Sequence, residues 1–145
     1  MPTPWQTFED NLRPARLLLQ VYSLLENDDR VYTPSDLLPV CADTGVPLVY
    51  DVHHHRCLPD GQSVAEITAR ARRTWSAEPV FHLSSPLAGW GGPRPQRHHD
   101  YINPADFPRE WLGWPLTVEV EAKAKELAVL QLLTDLNGEG ILRRP

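Results

Sequence analysis

The sequence predicts an α/β fold of about four parallel strands with flanking helices, and three observations carry that prediction. Short apolar runs recur at Leu17 to Leu25, Val46 to Tyr50, Pro79 to Leu83 and Leu116 to Val120. Segments with helix signals lie between them, and such alternation specifies parallel βα units joined by right-handed crossovers. The runs also end in carboxylates or imidazoles, and the carboxyl ends of parallel strands are where α/β proteins assemble their sites.

Taken in order, an opening helix is expected near Trp5 to Leu18, interrupted by Pro14. Thr33-Pro34-Ser35-Asp36 reads as an N-cap, a proline in the first turn and an acid near the helix start. Ser63-Val64-Ala65-Glu66 is a capping box that opens a helix expected to run to about Ala77. Ala122 to Leu136 carries Leu127, Leu130, Leu133 and Leu136 at helical spacing, with Asn137-Gly138 as its stop. The stretch Pro86 to Pro115 is rich in Gly, Pro, Trp and His and lacks periodicity, so it reads as a long functional loop after the third strand.

The bulk numbers narrow the class. With 145 residues the chain holds one domain with a real core, but it is short of the roughly 250 residues of a complete (β/α)8 barrel. Four strands with helices do not close a barrel, so their open edges would need cover from another polypeptide or a second copy. Apolar residues make up 41% and charged residues 23%, which fits a globular chain rather than a disordered one. A net charge of −5 argues against a generally basic surface for nucleic acid, although Arg70, Arg72 and Arg73 cluster, as do Arg94 and Arg97. Cys41 and Cys57 lack a CxxC spacing and suit a reducing compartment. No apolar stretch approaches the ~20 residues of a membrane span and no secretory signal opens the chain, so no membrane partner and a cytoplasmic location are expected.

The chemistry sits at the strand ends. Glu26 follows the first run, Asp51 and His54 the second, His82 lies in the third, and Glu121 closes the fourth. In parallel strands these termini share one mouth, so the five side chains can converge. Three carboxylates around two imidazoles suit divalent cations of intermediate hardness such as Mn²⁺, Zn²⁺ or Fe²⁺. A calcium cage would lack histidine, and a structural zinc site would favour cysteine. Taken singly, each carboxylate reads more often as a helix cap or a solvated loop residue than as a ligand. Asp28 and Asp29 are expected to cap the adjoining loop, and His53 and His55 should point away if His54 points in.

These motifs resemble the UV damage endonucleases, metal-dependent DNA repair nucleases of the xylose-isomerase-like TIM-barrel group. The resembling residues are Leu25-Glu26-Asn27-Asp28-Asp29, Val46 to His55, Phe81-His82-Leu83-Ser84-Ser85-Pro86, His98-His99-Asp100-Tyr101-Ile102, and Val120-Glu121-Ala122-Lys123-Ala124-Lys125-Glu126, in matching order. The resemblance implies that residues 1–145 form a single domain, the C-terminal half of a TIM barrel. It implies Glu26, Asp51, His54, His82, His98 and Glu121 as metal ligands, with Glu26, Asp51, His82 and Glu121 catalytic and Glu26 bridging between ions. Mn²⁺ is the ion expected first, with Mg²⁺, Zn²⁺ and Fe²⁺ as alternatives. The implied substrate is damaged double-stranded DNA, cut 5′ to a UV lesion in excision repair.

Lys123 could hold phosphates, as could Lys125, and Trp90 could stack on a base. A solvated helix face for the lysines and loop anchoring for Trp90 are the plainer readings. Two departures stand out. The family's barrel carries an N-terminal half with further histidine ligands, which this sequence is expected to lack, so a separate half or self-association is the expected partner. Relatives also commonly carry lysine beside the metals where this chain has Val80. A truncated, inactive homologue that keeps metal binding is therefore one alternative, and a metal-dependent sugar isomerase or epimerase is another.

Overall fold

The computed structural model describes residues 24–142, and the expected opening helix and most of the first apolar run lie outside them. Four strands, β1 (Leu25–Glu26), β2 (Leu48–Asp51), β3 (Val80–Leu83) and β4 (Thr117–Val120), form one parallel sheet in sequence order. The helices are α1 (Pro34–Thr44), α2 (Val52–Cys57), α3 (Val64–Arg73) and α4 (Glu126–Gly138). This is the α/β arrangement the alternation predicts.

The first and third helices begin where their caps require. Thr33 accepts from the Asp36 N–H while the Asp36 carboxylate accepts from the Thr33 N–H at 2.9 Å, and Ser63 and Glu66 reciprocate in the same way. Gly45, at φ 73°, ends α1 in the left-handed conformation that glycine adopts without a Cβ penalty.

Other boundaries differ from expectation. α3 stops at Arg73 rather than near Ala77 because its exit is tied to the sheet. Thr74 Oγ1 accepts from the Leu48 N–H at 2.9 Å, and the Trp75 indole donates to the Leu48 carbonyl at 2.7 Å. α4 begins at Glu126 rather than Ala122, since the Lys123 and Ala124 N–H groups bond to the His99 and Asp100 carbonyls and Lys125 takes φ 53°. It then passes through Gly138 and stops at Gly140, φ 72°, where the Ile141 N–H reaches back to the Leu136 carbonyl. Its buried stripe is Ala128, Leu132 and Leu136, while Leu127, Leu130 and Leu133 are exposed. α2 is an unpredicted element, a six-residue helix that starts at the residue after Asp51.

The period-2 alternation of the strands sorts the sheet into two faces. Leu25, Leu48, Tyr50, Phe81, Leu83, Val118 and Val120 belong to the apolar core together with Leu38, Ile67, Ala71, Leu132 and Leu136 from the helices. Tyr50 and Phe81 meet edge to face at 5.5 Å, and Phe81 meets Trp111 at the same separation. Trp111 is buried and donates its indole N–H to Thr68 Oγ1 at 3.0 Å, which satisfies the polar tip. The registers Glu26↔Val49, Asp51↔His82, Val80↔Thr117 and His82↔Glu119 place the alternate residues on the opposite face. That face carries the polar groups.

The long loop after β3 is organised by Asp106, which is buried. Its carboxylate accepts from Ser85 Oγ at 2.6 Å and from the Trp90 indole at 2.8 Å, and its carbonyl accepts from Arg56 at 2.7 Å. Two 3-10 turns, Pro104–Asp106 and Arg109–Trp111, carry the chain back toward β4. The Arg72 guanidinium lies 3.6 Å over the Trp114 ring near the end of this connection.

Candidate metal centre

The polar face culminates at the carboxyl ends of the strands. Glu26 is the last residue of β1, Asp51 the last of β2, His82 lies one residue before the end of β3, and Glu121 follows β4 directly. The Glu121 N–H bonds to the Leu83 carbonyl at 2.8 Å, so pairing between β3 and β4 persists to the level of this acid.

Distances show a real convergence. Glu26, Asp51 and His82 each offer a ligand-type atom within 4.8 Å of the others, a possible binding set for a divalent cation. His82 Nδ1 stands 3.1 Å from Glu26 Oε1 and 3.3 Å from Glu121 Oε1. His54 Nδ1 is 3.3 Å from Asp51 Oδ2 and 3.7 Å from Glu26 Oε1. His98 stands further out, its Nδ1 4.0 Å from Glu121 Oε2.

Asp51 does two jobs at once. Its Oδ1 accepts from the His54 N–H at 2.8 Å and so caps α2, which turns His54 back over the strand end. Its Oδ2 is buried and has no hydrogen-bond partner. A buried acceptor without a donor, among further carboxylates and a neutralisable imidazole, fits a cation, which would complete its coordination. His54 is fixed by its own hydrogen bond, since Nδ1 lies 2.9 Å from the Asn27 carbonyl and must carry the proton there. Its Nε2 therefore keeps the lone pair.

Electrostatics agree with the geometry. Burial pushes the Asp51 carboxyl up to about 6, with Glu121 and Glu26 adding like charge and His54 opposing. Burial works against protonated His82, but the hydrogen bond and charge of Glu26, reinforced by Glu121 and Asp51, outweigh it and push the imidazole up to about 9. Glu26 sits below its ordinary value because the His82 contact overcomes its own partial desolvation. Without a cation, His82 thus serves as the counter-charge of the acids.

The neighbouring histidines have other partners. The His55 ring is buried between the Tyr50 hydroxyl at 2.7 Å and Asp60 Oδ1 at 2.8 Å, facing away from the cluster. His53 is also buried, its Nδ1 3.2 Å from the Ser84 carbonyl and its ring 5.1 Å from Trp90 and 5.2 Å from His98. Asp28 caps the loop after β1, its Oδ1 accepting from the N–H groups of Arg30, Val31 and Tyr32. Trp90 is anchored through Asp106 yet keeps an exposed edge, and Lys123 is exposed.

Sequence reasoning missed two residues. Asn27 is fully buried and pairs with both backbone groups of Asp51; only its place directly after the strand-end acid hinted at this. Glu119 reaches His82 Nε2 at 2.9 Å, and period-2 spacing before Glu121 was the available signal.

A parallel α/β sheet with carboxylates and imidazoles gathered at one mouth is, as a class, a partial (β/α)8 protein with a possible metal-binding set at its strand ends. Residues 6–144 match the UV-endonuclease UvdE family, and the chain belongs to it. It is 47% identical over 126 residues to the UV DNA damage endonuclease of Deinococcus radiodurans, a match covering 82% of this chain and 38% of that protein. The UV DNA damage endonuclease of Halalkalibacterium halodurans is 41% identical over 132 residues, covering 85% and 39%. Among solved structures, the crystal structure of SacUVDE superposes with a TM-score of 0.69 at 30% identity, over 82% of this chain and 40% of that one. The chain thus spans about two fifths of the length of these relatives. The family match sets the sugar isomerase alternative aside. Among the described residues, no helix is long and apolar enough to cross a membrane.

Proposed function

We propose that this chain is the C-terminal, metal-binding half of a cytoplasmic UV-damage endonuclease that nicks damaged double-stranded DNA 5′ to UV lesions. The observation that carries the reading is the convergence of Glu26, Asp51, His82 and Glu121 at four consecutive strand ends, in a chain of this family. These four, with His54 and His98, would hold divalent cations, Mn²⁺ first among them. When bound, such a cation supplies Lewis acidity toward a phosphodiester.

The chain's own residues have separable roles in this reading. Glu26, at the end of β1 and in contact with His82, would bridge ions, and that contact favours its ionised form. Asp51 contributes the unpartnered Oδ2, and Asn27 fixes the carbonyl that orients His54. Exposed Lys123, just beyond β4, would meet DNA phosphates, and the exposed part of Trp90 would meet a base. The remaining strands of a complete barrel would be supplied by polypeptide outside residues 1–145.

Nicking of UV-irradiated plasmid in Mn²⁺, comparing the wild-type chain with Glu26→Gln, tests the proposal. The wild type should nick and the variant should not; equal activity removes Glu26 from the mechanism. Val80 supports a second reading, an inactive homologue that retains metal binding, because it offers only methyl groups where the family resemblance implies a lysine. Mn²⁺ binding without nicking, with the remaining barrel strands present, would select it.

A further inference from the structure

The loop after β3 is basic in an acidic chain. From Pro79 to His99 there are two arginines, Arg94 and Arg97, and no acid, although the net charge of the whole is −5. Both arginines are exposed. The arginine ion pairs among the described residues are Arg30 with Asp29 and Arg109 with Glu139, so neither Arg94 nor Arg97 is matched with an acid there. Together with Leu87, Ala88 and Pro93 they line a recess of about 370 Å³.

The backbone holds this segment in a defined shape. The Leu87 N–H donates to the Arg97 carbonyl at 2.7 Å and the His99 N–H to the Ser85 carbonyl at 2.7 Å, on either side of an antiparallel bridge between Pro86 and His98. Arg94, at φ 52° between Pro93 and Pro95, closes the return, its carbonyl accepting from the Arg97 N–H at 3.0 Å. Trp90 fastens the other limb through Asp106. A hairpin closed in this way presents its cations without having to order its backbone on binding. Its stem reaches the strand-end cluster, since His98, the residue after Arg97, stands 4.0 Å from Glu121.

Guanidinium groups match phosphate oxygens in charge and in planar geometry. The strand-end acids repel a polyanion, so a nucleic-acid backbone brought to this mouth needs fixed cations beside it. We infer that Arg94 and Arg97 form a phosphate-binding arm that holds the DNA backbone alongside the strand-end cluster. The inference rests on the reading of the chain as acting on DNA, and it locates a contact surface apart from Lys123 and Trp90. Phosphates are alike in damaged and intact duplex, so the arm adds affinity without lesion preference.

The test is fluorescence anisotropy of a labelled duplex, UV-irradiated or intact, titrated with the full 145-residue chain over a series of salt concentrations. Divalent ions are left out, so that monovalent cations alone compete for the phosphates. Arg94→Gln and Arg97→Gln should each make the slope of log affinity against log salt shallower by about one. Each should weaken binding by the same factor on both duplexes. Arg94→Lys and Arg97→Lys keep the charge and should keep the wild-type slope. Arg70→Gln, exposed on α3, should change nothing. Unchanged slopes in the two glutamine variants would overturn the inference alone. So would losses confined to irradiated DNA, equal losses in the lysine variants, or an equal loss in Arg70→Gln, which would reduce the effect to net charge. A wild-type chain that binds neither duplex at low salt would overturn the DNA reading and the inference with it.

Discussion

Asn27 pairs with the backbone of Asp51 at two points: its Nδ2 donates to the Asp51 carbonyl at 2.8 Å and its Oδ1 accepts from the Asp51 N–H at 2.9 Å. The pairing extends the contact between β1 and β2 beyond the two residues that β1 itself contributes. Removing the amide leaves two backbone groups of a fully buried residue without partners. Asn27→Ala is expected to cost about 2–4 kcal/mol of stability, measured by urea unfolding. It should also weaken cation binding, because Asp51 and the Asn27 carbonyl that holds His54 both shift.

Asp51→Asn tests the orphaned carboxylate oxygen. Asparagine also caps helices, so α2 should keep its start. The substitution removes a buried charge whose ionised form burial disfavours, so the metal-free protein should melt no lower than wild type. Excess Mn²⁺ should raise the melting temperature of the wild type by mass action and leave Asp51→Asn nearly unmoved. Differential scanning calorimetry with and without the metal, or with a chelator added, reads both effects.

Asp60 gives a pH signature independent of the cluster. Burial would raise its carboxyl, but donors from Ser35, His55 and Gln62 outweigh this and bring it down to about 2 from 3.8. A carboxyl lowered by folding contributes stability that is complete above 3.8 and disappears as the pH falls toward 2. Thermal melts between pH 4.5 and 2 should therefore fall more steeply for the wild type than for Asp60→Asn.

Asp106→Ala should loosen the long loop without touching the strand-end acids. The Ser85 hydroxyl and the Trp90 indole would lose their acceptor. A loss of about 1–3 kcal/mol is expected. Limited proteolysis should then cut between Pro86 and Pro115 in the variant at protease concentrations that spare the wild type.

Much of this was legible in the sequence because local chemistry decided it. Thr33 and Ser63 carry their helix starts in their own side chains, and the strand-end acids follow from the end of each apolar run. What was illegible depends on partners distant along the chain. α3 ends early because Thr74 and Trp75 bind Leu48, and α4 starts late because the loop carbonyls of His99 and Asp100 claim its first N–H groups. α2 is illegible because six residues are too few for a periodic pattern, and its only marker, Asp51 as a cap, reads equally as a ligand. Glu119 escaped because its meaning comes from register with His82, and register is a property of two strands.

Since one aspartate ends β2, starts α2 and aims a bare oxygen at the acids around it, drift at this codon is unusually constrained. Glu26 or Glu121 at the rim could be replaced with little harm to folding. Position 51 would still be confined to Asp or a close helix-capping substitute such as Asn. In a lineage that lost the proposed activity, change would therefore show first at the glutamates, and aspartate or asparagine at 51 would remain as a scaffold fossil.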